Sequence, residues 1–319
     1  MRVAVIISSL LGWPLLQDLL AQGVVAGVAV PASGREEAEQ LHQWLTQSGL
    51  APRRLTRAGL AEELTSWLTA LQPTAALVLT FPWRIPAAVL DLPPQGFINV
   101  HFAALPGYRG PEPTFWQLRN GEAAGAVTAH RMEADFDTGP VLAATPVPIG
   151  LHDTHGLHRA QLALAAVGTG RALLEALRTG APGHPQDEAA ARYWPRPALP
   201  DLCIDWQEPA EAIARLVRAV NPWNRGALAA LRGQPLRILS ATPRPETVDA
   251  APGTVVLAAP GQALLVACGA GQVLQLDMAA LEEGFFTGGQ LANLGIQPGE
   301  VLGTLPATAA AIIPQPQLG

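Results

Sequence analysis

The sequence predicts an α/β protein: an open, mostly parallel sheet covered by helices, followed by a smaller domain of antiparallel strands. Three observations carry that expectation. In the first third, short apolar runs alternate with amphipathic segments of helical length. From Ala181 to about Cys203 the chain turns rich in Pro, Ala and Arg. Beyond that stretch come brief apolar runs separated by turn residues. With 319 residues, 49% of them hydrophobic and only 14% charged, the chain has ample apolar material for a packed core in one large or two ordinary domains.

In order, RVAVIISS reads as a buried first strand, WPLLQDLLAQG as a helix, VVAGVAVP as a second strand, and the segment holding EEAEQLHQWLTQSG as a second helix. A further helix, AGLAEELTSWLTALQ, precedes the strand AALVLTF; a Pro-rich loop and helix then lead to GFINVHF. Strands this uniformly rich in Val, Ile and Leu belong to a parallel sheet buried on both faces. Such sheets bind ligands at their carboxyl edge. GAVTAHRM is another strand, VLAATPVPI follows, and a long helix ends at Gly180, a residue that readily takes the left-handed closing conformation. The first domain is therefore expected over 1–182 and an extended, surface-laid linker over 183–203. In the second domain, over 204–305, the helix EPAEAIARLVRAV leads through NPWNRGA to ALAALRG, PLRILSA, GTVVLAAPG, ALLVACGAG and QVLQLDMAAL. That spacing suits a small antiparallel barrel or sandwich. The Ala- and Pro-rich stretch 306–319 is expected to be a flexible tail.

Composition narrows the function classes. No apolar run reaches the roughly 18 to 20 residues of a membrane span, so no membrane association is expected. The apolar N-terminus lacks a convincing cleavage site after it, and a cytoplasmic location follows. Cys203 and Cys268 form neither a zinc pattern nor a disulfide framework, as suits a reducing compartment. The formal charge is -6 and all 20 basic residues are Arg, a balance that weighs against a nucleic-acid partner. No GxGxxG follows the first strand, where ISSLLGW stands, and no GxxxxGK[ST] occurs, so nothing cradles a dinucleotide or triphosphate in the usual way.

The strongest chemical constellation is FINVHFAALPGYRG with the downstream EADFDTGP. Asn99 and His101 lie two apart on a strand, so their side chains leave the same face, at the carboxyl edge if the strand ends there. An Asn amide can stabilise charge on a carbonyl oxygen, a His can exchange a proton near neutrality, and a carboxylate can orient that His. Such a set suits acyl transfer to a nitrogen nucleophile, and with no activated Ser or Cys beside it direct attack is expected. By spacing alone, Asn-X-His is more often a hydrogen-bonded strand edge than a catalytic pair, and Asp-Thr-Gly usually an ordinary turn. His130, His152, His155 and His158 show no metal-ligand spacing and read as a solvated loop and helix start. Trp116, Trp206 and Trp223 read as core or interdomain anchors.

The run GFINVHFAALPGYRGPEPTFWQLRNGE with GAVTAHRMEADFDTGPVL resembles the folate-dependent formyltransferases: an Asn-X-His strand, a Leu-Pro loop, a Tyr-Arg-Gly and a downstream Asp-X-Gly loop. YWPRP, the IDW at Ile204 to Trp206, RAVNPW, APGTV and ACGAGQVLQL are similar to the second domain of methionyl-tRNA formyltransferases and of the aminoarabinose-pathway formyltransferase. The resemblance implies the Rossmann-like formyltransferase fold with an OB-like second domain. It also implies transfer of a formyl group from 10-formyltetrahydrofolate to a primary amine, without a metal. In that family's pattern Asn99 polarises the formyl oxygen, His101 assists proton transfer, and Asp137 holds His101 and a water, with Asp135 a decoy. The donor's pterin is placed between two loops that here carry Phe81, Trp83, Arg84 and Ile85, and Met132, Ala134, Asp135 and Phe136. Tyr108 and Arg109 are expected on the substrate side.

Departures from the pattern shape the acceptor expectation. Ala103 and Ala104 stand where the family usually has Ser-Leu. The segment PASGREEAEQ offers Arg35 against Glu36, Glu37 and Glu39, which cannot supply the basic clamp of a tRNA-binding insertion. Pro111 replaces the Arg of the aminoarabinose enzyme. A small-molecule or carrier-bound amine is therefore the expected acceptor, methionyl-tRNA its rival, and a catalytically silent folate-binding or scaffold protein the alternative of another class.

Overall fold

The computed structural model describes residues 1–305; the tail expected over 306–319 lies outside the described residues. The chain opens with β1 (Val3–Ile7), α1 (Trp13–Ala21), β2 (Val25–Pro31), α2 (Glu36–Gln47), β3 (Arg53–Leu55), α3 (Leu60–Leu71), β4 (Ala75–Leu79) and β5 (Phe97–His101). Then come α4 (Pro113–Asn120), β6 (Ala124–Arg131), β7 (Val141–Pro148) and α5 (His155–Thr179). The strands make one sheet in the order β3-β2-β1-β4-β5-β6-β7. β1 to β5 run parallel, and β6 and β7 are antiparallel to their neighbours.

Burial explains the apolar runs. Every residue of β1 and β4 is buried. Val3, Val5 and Ile7 point to the core built with Leu15, Leu16, Leu41 and Leu173, whereas Ala4 and Ile6 point to the opposite core with Leu60, Leu64 and Leu68. Each fully buried Leu or Ile contributes roughly 1.5–3 kcal/mol. The chain moves outward from β1 to β3 and then returns to the other side of β1 at β4. At that reversal the connections leave the sheet in opposite directions and open a crevice at the carboxyl ends. β3 escaped the sequence reading because it has three residues, two of them exposed arginines, which is too short to show a period. The helix expected before β5 is only a 3-10 turn at Ala87–Val89, in a segment whose prolines remove amide donors. The long helix α5 starts where Thr154 Oγ1 accepts from the Leu157 amide and ends at Gly180, with φ +69°.

Residues 184–196 run across the loop after β5, extended but for a 3-10 turn at Glu188–Ala190, pairing Arg109 with Tyr193 and Val141 with His184. Beyond them lie α6 (Ala210–Ala219), β8 (Ala227–Leu231), β9 (Gln234–Thr247), β10 (Val255–Ala259), β11 (Ala263–Ala267), β12 (Gln272–Leu281), β13 (Gly284–Thr287) and α7 (Gly288–Ala292). These strands form a second, antiparallel sheet, β10-β11-β12-β9-β8, with β13 paired to β12. β9 continues through TPRPET, past the PLRILSA expected from sequence, and bends against β12 through register shifts. Phe115 and Leu118 of α4 join Ile213, Leu216, Leu228 and Leu276 in one core, and the Arg119 guanidinium donates to both Glu208 carboxylate oxygens at 2.8 Å. The first sheet's own helix is thereby seated in the second sheet's core. Trp206 is buried there, and Trp116 and Trp223 pack on its margin. Among the described residues no helix is long and apolar enough to cross a membrane.

Candidate active site

β5 ends at His101, and it sends Asn99 and His101 into a cleft of about 590 Å³ at the carboxyl edge of the sheet. The antiparallel partner β6 sets His130 directly across from Asn99. Asp137 arrives from the loop after β6 in a left-handed conformation, φ +59°. Its Oδ1 accepts from Asn99 Nδ2 at 3.2 Å and lies 3.4 Å from His130 Nε2 and 3.8 Å from His101 Nδ1, while its Oδ2 accepts from the Gly110 amide at 2.9 Å. The three residues singled out in the sequence thus meet around one carboxylate.

Burial opposes ionisation of Asp137, but the facing His101, the His130 contact and the Gly110 amide outweigh it and hold the carboxyl well below the usual carboxylate range. His101 Nε2 lies 2.7 Å from the Tyr108 carbonyl oxygen, which can only accept, so Nε2 carries a proton and Nδ1 is the side open to exchange. His130 Nδ1 is fixed in the same way against the Arg131 carbonyl at 2.8 Å, and its Nε2 lies 3.2 Å from Asn99 Nδ2 and 3.4 Å from Asp137 Oδ1. Asn99 thus donates one amide hydrogen to Asp137, and donation to a developing oxyanion makes a charge-assisted bond.

The extended segment locks this arrangement from behind. Gln186 Nε2 donates to the carbonyls of Asp137 and Gly139 at 2.7 and 2.8 Å, while its Oε1 accepts from Arg109. Gly110, at φ +117°, passes so close to the Trp194 carbonyl that a Cβ there would lie 2.1 Å from the oxygen. Only glycine fits, and that fit aims its amide at Asp137.

Phe81, Trp83, Arg84 and Ile85 form one lip of the cleft, and Met132, Ala134, Asp135 and Phe136 the other. Phe81 and Trp83 meet edge to face with centroids 5.3 Å apart, and Arg84 lies over the Phe136 ring at 5.3 Å. Asp135 is exposed, 3.6 Å from Arg84, and stands apart from the Asp137 cluster. Arg109 and Tyr108 are not brought to the cleft. Arg109 is buried against Gln186 and Glu188, and the Tyr108 hydroxyl donates to Glu122 at 2.6 Å with its ring stacked on Trp194. The Pro and Gly of the intervening loop turn both side chains toward the extended segment, a geometry that sequence spacing does not show.

The histidines also correct the solvated reading. His130, His155 and His158 are buried, because β6 is an interior strand and the first turn of α5 packs against Trp223. Burial pushes His155 down to about 3. Among the described residues no group of three or more His, Cys, Asp or Glu side chains is placed to hold a metal ion. Sequence reasoning missed His130 as a partner of Asn99, because the signal lies in strand pairing. It missed Gln186 because the linker carries no motif, and it passed over the cleft-lining Ser8, Ser9, Thr80 and Glu112.

Residues 24–168 match the formyl transferase family model and residues 200–285 match the model of the formyl transferase C-terminal domain. The chain is similar to the methionyl-tRNA formyltransferase of Ralstonia pickettii (strain 12J), with 37% identity over 273 residues, 79% of either chain. It is 39% identical over 205 residues to that of Thiobacillus denitrificans (strain ATCC 25259 / T1), a match spanning 64% of this chain and 65% of the relative. The fold is shared with the N-formyltransferase of Helicobacter canadensis solved with folinic acid and dTDP-3-aminofucose, at TM-score 0.66 and 16% identity, covering 86% of this chain and 98% of that one. With both domain models matched in order and more than a third of the residues identical over four fifths of a relative, the chain belongs to the formyl transferase family.

Proposed function

We propose that this protein transfers a formyl group from 10-formyltetrahydrofolate to a primary amine, and that the amine is the amino group of methionyl-tRNA. The observation that carries formyl transfer is the meeting of Asn99, His101 and Asp137 on the floor of a cleft with two apolar, aromatic lips. The cleft suits a folate. Among the described residues, no protein group accepts from the backbone N–H groups of Trp83, Arg84 and Ile85 or of Ala134, Asp135 and Phe136. Such unpartnered donors match a pterin ring bearing acceptors on its edge, and Phe81, Trp83, Ile85, Met132 and Phe136 supply apolar cover.

Bound there, the donor supplies the formyl carbon. Asn99 stabilises the oxygen as it gains charge, His101 Nδ1 takes and returns a proton, and Asp137 stabilises the imidazolium from 3.8 Å. Asp137 stays ionised at neutral pH, because its neighbours hold its carboxyl low, so it orients rather than exchanges protons.

The relatives' activity supports the tRNA acceptor, reversing the order expected from composition. A second reading, a small amine, is favoured by one observation. The β2–α2 connection is short, and α2 opens with Glu36, Glu37 and Glu39, of which Glu37 lines the cleft. Carboxylates suit a helix N-terminus but repel phosphate. The test is tetrahydrofolate release with 10-formyltetrahydrofolate and either methionyl-tRNA at low salt or a panel of small amines. Turnover on the tRNA alone supports the first reading, turnover on small amines alone the second, and turnover on neither leaves the silent binding protein.

A further inference from the structure

Glu112 is a buried carboxylate that formyl transfer as described leaves unused. It stands at the N-terminus of α4, yet its side chain makes no capping bond to that helix. It lines the same cleft as Asn99 and His101, two residues beyond the Gly110 amide that holds Asp137. Only 8% of the residue is exposed, so a carboxylate has been kept at the wall of the cleft at the expense of its hydration.

The charged groups facing it come from two elements: Arg159 of α5 and Arg196 of the extended segment, the latter 3.6 Å away. Tyr193 and His155 also line the cleft, and the desolvated His155 remains neutral at physiological pH. Asp137 has its oxygens engaged by Asn99 and the Gly110 amide, and His101 Nε2 is engaged by the Tyr108 carbonyl.

We propose that Glu112 receives the acceptor's ammonium group and takes one proton from it, freeing the nitrogen lone pair for attack on the formyl carbon. The inference rests on the formyl-transfer reading. The step balances: R–NH3⁺ and the carboxylate become R–NH2 and the carboxylic acid. The new C–N bond then forms, the bond from the formyl carbon to the folate nitrogen breaks, and the second amine proton passes by way of His101 to that nitrogen. Glu112 returns its proton to water. Burial raises the Glu112 carboxyl above the usual carboxylate range against the pull of Arg159 and Arg196, which makes it a better proton acceptor than a surface glutamate.

The experiment measures kcat/KM of wild type, Glu112→Gln and Glu112→Asp across pH, on whichever amine the wild type formylates, with donor affinity by calorimetry. Below the amine's own pKa, Glu112→Gln should lose about 10- to 100-fold, and the loss should shrink toward wild type above that pKa, where the amine arrives already deprotonated. Glu112→Asp should recover part of the rate, and donor affinity should stay unchanged. A loss of equal size at every pH, no loss at all, or a loss that follows donor affinity would overturn the role while leaving formyl transfer standing. A wild type without turnover on any amine would remove both.

Discussion

Asp137 and Glu112 share one cleft, with side chains 10% and 11% exposed, and their surroundings drive them in opposite directions. Burial disfavours the charge of each. At Asp137 the facing His101 at 3.8 Å, the His130 contact at 3.4 Å and the Gly110 amide at 2.9 Å outweigh burial, so the carboxyl is held low. At Glu112 the partner is a guanidinium at 3.6 Å with a second charge beyond it, burial prevails, and the carboxyl is raised. A facing charge and directed hydrogen bonds together overcome the burial of Asp137, whereas the guanidinium charge near Glu112 does not overcome its burial. Two carboxylates separated in this way are suited to different work, one to fixing geometry and one to moving a proton.

The comparison is strained most by removing what Asp137 orients. His101→Ala should lower kcat/KM about 10³-fold with donor affinity within a factor of about three, read by tetrahydrofolate release and calorimetry. Gly110→Ala attacks the amide side: the Cβ meets the Trp194 carbonyl at a φ of +117°, and urea unfolding should show a loss of about 3 kcal/mol. The Asp137 side can also be titrated. Its folded carboxyl is held below the unfolded value of about 3.9, so its contribution is fully present above that pH and fades as pH falls toward the lower folded value. Unfolding free energies from urea titrations should therefore drop by about 1–3 kcal/mol more for wild type than for Asp137→Asn as pH is lowered through that window. The smallest effect belongs to Asp135→Asn. Its exposed pairing with Arg84 is worth about 0–1 kcal/mol, and kcat should stay within a factor of about two.

Much of this arrangement was legible in the residues. The apolar runs of β1 and β4 gave the buried parallel strands, and the two-residue step from Asn99 to His101 gave a shared face, because both depend on local period alone. Matching Asp137 rather than Asp135 to the site came from the resemblance, since spacing does not distinguish them. What the sequence hid depends on chain segments meeting. His130 joins the cluster through β5–β6 register, Arg109 turns away because residues 184–196 run alongside it, and Glu112 comes to the cleft wall beside Arg196 from a distant stretch. His155 of α5 looked solvated because charge and polarity were read without the Trp223 that packs against it.

The central claim is that the Asp137 carboxylate turns Asn99 and His101 into a working pair. Single-turnover formyl transfer by Asp137→Asn, at saturating donor and neutral pH, tests it most directly. The account predicts a rate about 10²- to 10⁴-fold below wild type with donor affinity unchanged. A rate within a factor of about three of wild type would contradict it.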